Sequence, residues 1–302
     1  MGGICEGRVV VVTGAGQGLG RAHALAFAAE GAKVVVNDIG AELDGTGGST
    51  GPAGEVVDLI RGNGGEAVAN ADDVSSWDGS ANIIQTAVDA FGKLDVLVNN
   101  AGIVRDRMLV SVEEREIDAV LAVHLKGTIA TMRHAANHWR DRSKAGEDVQ
   151  GRIINTSSGA GLHGSIAQTV YAAAKAGIAS ATLVAAAELK RYGVTANAIA
   201  PAARTRMTVE AFPDMMAEVE EGQFDAMDPS NVSPLVVWLG SIESKDVTGR
   251  VFENEGGLIV VADGWNRGPQ IDKGAKWEPS ELGPAIADLL SKADPAFPVH
   301  GT

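Results

Sequence analysis

The sequence predicts a single doubly wound α/β domain built on a seven-stranded parallel sheet, and three observations carry that prediction. Short β-branched runs alternate with longer helical patterns from the start, which calls for right-handed βαβ crossovers and a sheet covered on both faces. The 38 glycines among 302 residues stand at boundaries between apolar runs, so they read as loops rather than low complexity. No break in composition divides residues 1–264, which form one domain, and the Pro-rich remainder, 265–302, is a tail that wraps the body or a neighbouring subunit, or frays.

In chain order, the valine run Arg8 to Val12 is the first strand and Gly18 to Glu30 a helix. Lys33 to Asn37 is the second strand; a glycine-rich stretch, Gly40 to Gly54, leads into a helix ending near Arg61. Glu66 to Asn70 is the third strand and Ser75 to Phe91 the next helix. Leu94 to Asn99, apolar at nearly every position, is a strand buried on both faces. A long helix from Val112 to Trp139 precedes a strand at Arg152 to Thr156, and a helix from Val170 to Arg191 precedes one at Val194 to Ile199. A helix starting near Pro229 leads to the last strand, Leu258 to Val261, and the tail holds one helical pattern near Ala285 to Leu290.

Charge narrows the partners. With 25 Lys and Arg against 39 Asp and Glu, the formal net charge is −14, the wrong sign for a general nucleic-acid or anionic-membrane binder. One cysteine, Cys5, builds neither a disulfide nor a thiolate metal site, and six histidines without His-x-x-x-His spacing argue against zinc. No uninterrupted apolar run reaches the ~18 residues a membrane helix needs. The opening Met1-Gly2-Gly3-Ile4-Cys5-Glu6 lacks the order of a signal peptide, and Val299-His300-Gly301-Thr302 is not a peroxisomal address. The expectation is a cytoplasmic protein that takes a small-molecule substrate and no metal.

The first strand runs into Thr13-Gly14-Ala15-Gly16-Gln17-Gly18-Leu19-Gly20 and then a helix. A dinucleotide pyrophosphate needs a tight turn, a backbone free of Cβ atoms at closest approach, and a helix N-terminus aimed at the charge; Gly14, Gly18 and Gly20 supply these, with Gln17 and Leu19 beside them. Asp38 ends the second strand, where a carboxylate accepts both adenosine ribose hydroxyls and repels a 2′-phosphate, so NAD is favoured over NADP. Asp73 and Val74 lie just past the third strand and are placed to border adenine, although Asp72 is equally placed by spacing. Asn99-Asn100-Ala101-Gly102 closes the fourth strand, where such amides tie neighbouring strands or meet a ligand. Tyr171 and Lys175, four apart, share a helix face. An ammonium near a phenol favours phenolate, and a phenol so tuned exchanges a proton with an alcohol. Ser158, 13 residues before Tyr171, is placed to bind the same oxygen.

Together these motifs, over roughly residues 6–264, resemble the short-chain dehydrogenase/reductase superfamily with its Rossmann fold. The resemblance implies Tyr171 as acid/base, Ser158 as partner of the reacting oxygen, and Lys175 as the group that lowers the tyrosine pKa and binds the nicotinamide ribose. It also implies Asn100, Ala101, Gly102, Pro201, Ala202 and Thr205 in the cofactor site. The family's fourth catalytic residue is an asparagine, where Val123-His124-Leu125-Lys126-Gly127 places His124; an imidazole also donates and accepts. Further features are Asn37-Asp38-Ile39-Gly40, Val104-Arg105-Asp106-Arg107-Met108 and Thr205-Arg206-Met207-Thr208. With His124, they are similar to the (3R)-hydroxyacyl-CoA dehydrogenase domain of peroxisomal multifunctional enzyme type 2 and its bacterial single-domain relatives. That implies oxidation of a secondary alcohol in a 3-hydroxyacyl-CoA, with a free steroid or lipid alcohol as the alternative and a non-catalytic NAD-binding scaffold as a distant one. Arg105, Arg107, Arg204 and Arg206 are expected to flank the substrate side and meet CoA phosphates, and His163 to line the cleft. The helices Val112 to Trp139 and Val170 to Arg191 are expected to build a homodimer or homotetramer.

Overall fold

In a computed structural model the described residues are 2–40, 51–205, 208–209, 216–217, 219–220, 222–295 and 298–300. Val9–Thr13 (β1) is buried throughout and pairs in parallel with Lys33–Asn37 (β2) on one side and Val96–Asn99 (β4) on the other. β2 continues to Glu66–Asn70 (β3); β4 continues through Gly151–Thr156 (β5) and Val194–Ala202 (β6) to Val251–Glu255 (β7), all parallel. The strand order reverses between β1 and β4, and a crevice opens there at the carboxyl ends of the strands.

Among the described residues the sheet has eight strands rather than the expected seven, and one is not parallel. Leu258–Ala262 (β8), expected from the sequence as the last parallel strand, turns back through Gly256-Gly257 and pairs antiparallel with β7. Gly256 has φ +52°, which a tight hairpin needs. The true seventh parallel strand carries Glu253, Asn254 and Glu255, so a search for apolar runs passes over it.

Strand alternation makes two cores. Val10, Val12, Val34 and Val36 face Phe27 and Leu239, from the helices Gly18–Ala29 (α1) and Ser233–Gly240. Val9, Val11 and Val35 face Ile83 of Trp77–Phe91 and Trp139 of Gly127–Lys144. Successive residues of one strand thus feed opposite faces, as a period of two requires. Gly51–Gly62 (α2) joins the first face; Trp77–Phe91 (α3) covers the second.

The single helix expected over Val112 to Trp139 is in fact Glu114–Val120 (α4), a π-helical turn at Leu121–Lys126, and Gly127–Lys144 (α5). A π turn widens the helix and commonly marks a functional site. Gly159–His163 (α6) leads to Thr169–Leu189 (α7), whose inner residues Ala174, Lys175, Ile178, Thr182 and Ala186 are buried. With the turn to Tyr192, α7 is the one helix among the described residues long and apolar enough to cross a membrane. Ser233–Gly240 (α8) follows, and the tail forms Pro279–Lys292 (α9), longer than expected and with no buried residue. The tail's far end returns to the body: Ile166 N–H donates to His300 O at 3.0 Å and His300 N–H to Gly164 O at 3.2 Å.

Candidate active site

The turn after β1 abuts the turn after β4. A Cβ on Gly14, whose φ is +62°, would stand 2.7 Å from the Ala101 Cα, and one on Gly20 would stand 2.1 Å from the Gly14 carbonyl oxygen. Gly20 therefore lets α1 dock on the turn rather than lining the cleft itself. Thr13 ties the two turns: its hydroxyl accepts from Asn100 N–H at 3.0 Å and Ala101 N–H at 3.1 Å. The Asn100 amide donates to Thr13 O and Gly14 O, both at 3.1 Å, so it joins strands. Nothing in the residue type of Thr13 announces that part.

This cradle fits a dinucleotide. Gln17 makes no side-chain cap bond at α1, so first-turn N–H groups remain for an anion at a helix end that lines the cleft. The Asp38 carboxylate is oriented by Gly16 N–H at 2.8 Å and Gly40 N–H at 2.7 Å, and each oxygen keeps acceptor capacity for a hydroxyl. Asp73 and Val74 both line the cleft, with the Asp73 carboxylate accepting from Ser75 N–H and Oγ–H, both at 2.7 Å. Pro201 and Thr205 line the cleft and Ala202 does not.

The cleft encloses about 500 Å³ and brings Ser158, Tyr171, Lys175 and His124 together. Lys175 Nζ donates to Thr156 O at 2.7 Å and lies 5.6 Å from the Tyr171 ring centre. Burial pushes this ammonium down to about 7. Tyr171 moves opposite to expectation: burial raises its pKa, the Ser158 hydrogen bond only partly opposes this, and the Asp106 carboxylate adds to it. Desolvating the phenolate outweighs what the Ser158 hydrogen bond returns. Ser158 also caps α6, its Oγ accepting from Ala160 N–H at 3.2 Å.

His124 lies in the π turn, 1% exposed, edge-on to Tyr171 with ring centres 5.2 Å apart at 88°. Its Nε2 is 2.7 Å from Ile103 O, and its Nδ1 is buried without a partner among the described residues. Burial and then the Lys175 charge push it down to about 3, so it works as a neutral ring. A Cβ on Gly102 would lie 2.5 Å from the His124 Cε1, which explains that glycine.

His23, on the buried side of α1, is likewise pushed down to about 3 by burial. Both histidines stay neutral in the fold below their ordinary 6.5, where the unfolded chain takes up protons, so their stabilisation is lost as pH falls from 6.5 towards 3. Lys175 has the same sign higher up: stability rises with pH between about 7 and its ordinary 10.5. Melting temperature should fall as pH drops below 6.5, and His124→Asn should flatten that slope; an unchanged slope would count against it.

The expected substrate cations disperse. Arg105 lines the cleft. Arg107 pairs with Glu116 at 3.2 Å, and its N–H donates to Ala167 O at 2.8 Å, pinning the loop after β4. Arg204 is bidentate on Asp225 at 2.5 and 3.0 Å and donates to Met216 O at 2.7 Å. His163 pairs with Glu253 at 3.1 Å and does not line the cleft. Arg206 lies outside the described residues. Carboxylates at 116, 225 and 253 capture these groups, and the sequence does not show which carboxylate each will meet.

A cleft of this kind serves an oxidoreductase that moves a hydride to or from a nicotinamide dinucleotide. A family profile described as short chain dehydrogenase matches residues 8–216, and the chain belongs to that family. It is 44% identical over 301 residues to the hydroxyacyl-CoA dehydrogenase ChsB1 of Mycobacterium tuberculosis, covering 96% of this chain and 90% of that one. It is 41% identical over 260 residues to the peroxisomal multifunctional enzyme type 2 of Mus musculus, covering 86% of this chain and 32% of that one. The crystal structure of a short chain dehydrogenase from Mycobacterium avium superposes with a TM-score of 0.90 at 65% identity, covering 99% of this chain and all of that one.

Proposed function

We propose that the protein oxidises the secondary alcohol of a 3-hydroxyacyl-CoA thioester to the ketone, with NAD as acceptor, in the cytoplasm. The chemistry rests on the convergence of half-buried Tyr171 and Ser158 with buried Lys175 at one edge of the cleft. The substrate class rests on the relatives named for it. Ser158 and Tyr171 hold the reacting oxygen between two hydroxyls. Tyr171 takes the alcohol proton and, in the reverse direction, its protonated phenol is the ready acid. Lys175 keeps N–H groups beyond the one given to Thr156 O for a ribose hydroxyl. His124 packs against the phenol without adding charge. A bound nicotinamide supplies the hydride acceptor.

The choice of NAD over NADP is supported by Asp38, whose carboxylate after the second strand would repel a 2′-phosphate, with no Lys or Arg among residues 39–50 to offset it. One observation favours a second reading, a free steroid or lipid alcohol: Arg107 and Arg204 are already held by carboxylates, which leaves fewer cations for CoA phosphates. Steady-state rates on a hydroxyacyl-CoA and the matching CoA-free alcohol, each with NAD and NADP, separate the readings. The expected result is much higher kcat/KM for the thioester with NAD, and erosion of the NAD preference in Asp38→Ala. Equal efficiency on both alcohols moves the assignment to the second reading, and an unchanged cofactor ratio in Asp38→Ala removes its role.

The half-exposed Leu183 and Val184 on the outer side of α7 support a homodimer or homotetramer through α5 and α7. Light scattering showing a monomer at micromolar concentration would refute it.

A further inference from the structure

Helix α7 carries both Tyr171 and Lys175, yet its own sequence does little to fix how it lies on the sheet. An amphipathic helix is held in rotation by its apolar stripe, whereas α7 is apolar nearly all round, from Ala172–Ala174 to the outward Leu183 and Val184. Its inner contacts, Ala174, Ile178 and Ala186, include two small residues that make shallow ridges, so hydrophobic packing alone distinguishes weakly between neighbouring settings. Directional bonds settle the matter at two heights. Lys175 is bonded at both ends: its Nζ donates to Thr156 O at 2.7 Å, and its backbone carbonyl accepts from Ser157 Oγ at 2.9 Å. Ser157 is itself fastened to β6, its N–H donating to Ile199 O at 2.7 Å.

Two turns further along, Thr182 Oγ1 accepts from Asn155 Nδ2 at 2.8 Å and donates to Ile178 O at 2.8 Å. Asn155 Oδ1 accepts from Asn99 Nδ2 at 2.9 Å, and Asn99 Oδ1 accepts from Thr131 Oγ1 at 2.7 Å. This chain of donors runs from α5 through β4 and β5 into α7. Ser157 is 1% exposed, while Asn155, Thr182 and Thr131 are fully buried, and none of them leaves a buried polar atom unpaired. Buried polar networks of this completeness add specificity of arrangement, which apolar packing of equal volume does not. The strands they tie together are those whose ends carry the Asn100 turn and Ser158.

We infer that Ser157, Asn155 and Thr182 are positioning residues that set the slide and rotation of α7, and so the placement of Tyr171 and Lys175 against Ser158; this rests on the proposed role of Tyr171. Ser157→Ala and Thr182→Val should each lower kcat about tenfold, because small misplacements of reacting groups are costly. KM for the alcohol and Kd for NADH should stay within about twofold, since the cradle of α1 and Asp38 is untouched, as interactions confined to the transition state predict. Because Lys175 is bonded through Ser157, the pH of half-maximal kcat should also move in Ser157→Ala. The hydroxyl-restoring Ser157→Thr and Thr182→Ser should recover turnover. Thr195→Val is the control: it removes a buried hydroxyl that has no partner among the described residues, at the far end of β6, and should leave kcat unchanged. Normal kcat and pH profile in Ser157→Ala and Thr182→Val, with only a lowered melting temperature, would overturn the inference. Should Thr182→Val fail to fold, Ser157→Ala against Ser157→Thr decides alone. Tyr171→Phe runs alongside: full activity there sinks the role of Tyr171, whereas loss there with normal Ser157→Ala and Thr182→Val sinks only the positioning role.

Discussion

Tyr171→Phe should lower turnover in both directions at least about a hundredfold, the ordinary span for losing a positioned acid or base, while NADH still binds. The phenol is half-buried in the cleft beside Lys175 and is bonded to Ser158. Only the oxygen is lost in the variant; the ring keeps its edge contact with His124, so the fold and the cofactor cradle persist. Ser158 then holds the substrate oxygen alone and has no base behind it. Two measurements check this: steady-state rates of oxidation and reduction, and NADH titration followed by fluorescence. Activity within tenfold of the wild type, with NADH binding intact, would show that the proton goes elsewhere. Lys175, held near neutrality by burial, would then be the next group to replace.

Gly20→Ala should raise Kd for NADH more than about tenfold and lower the melting temperature by several degrees. In an exposed helix the same change stabilises by about 0.4–1 kcal/mol, because alanine restricts the unfolded chain. Here the new methyl would stand 2.1 Å from Gly14 O and 2.6 Å from Asn100 Nδ2. Both are fixed, one as backbone and the other as an amide already bonded to Thr13 O and Gly14 O. Neither can yield without moving the turn that faces the pyrophosphate, so the clash outweighs the gain in helix propensity. Gly54→Ala and Gly62→Ala, in α2 where a Cβ meets nothing within 4 Å, serve as controls. They should be neutral or mildly stabilising. Calorimetry and NADH titration on the three variants give the comparison, and a Gly20→Ala protein as stable and as tight-binding as the controls would refute the packing role.

Some parts of the site are legible in the amino-acid sequence because their geometry is local. Tyr171 and Lys175 share a face in any helix. The glycine turn lies between a valine strand and a helix start, and Asp38 follows the second strand directly. Other parts depend on partners that only the fold selects. Arg204 meets Asp225, and Arg107 meets Glu116; a list of cations does not reveal which carboxylate will claim each. The β7 strand is hidden because Glu253 to Glu255 break its apolar run, and its existence rests on pairing with β6. Thr13 escapes notice for the same reason: its function is to bind a turn that arrives 87 residues later.

The layering, the first six parallel strands with the helices between them, the dinucleotide turn and the proposed reacting trio are legible in the sequence alone. They rest on period-two and period-3.6 patterning and on residues adjacent in the chain. The antiparallel β8 edge, the π turn that carries His124, the direction of the Tyr171 shift and the capture of the arginines emerge only in three dimensions. Burial and charge pairing set these outcomes, and both are sums over atoms that the fold brings together from distant positions. The Tyr171 pKa shows the difference most directly. Spacing places an ammonium near the phenol and so points to a lowered value, but the water lost from around the ring dominates, and no neighbour in sequence reports how much water a fold will remove.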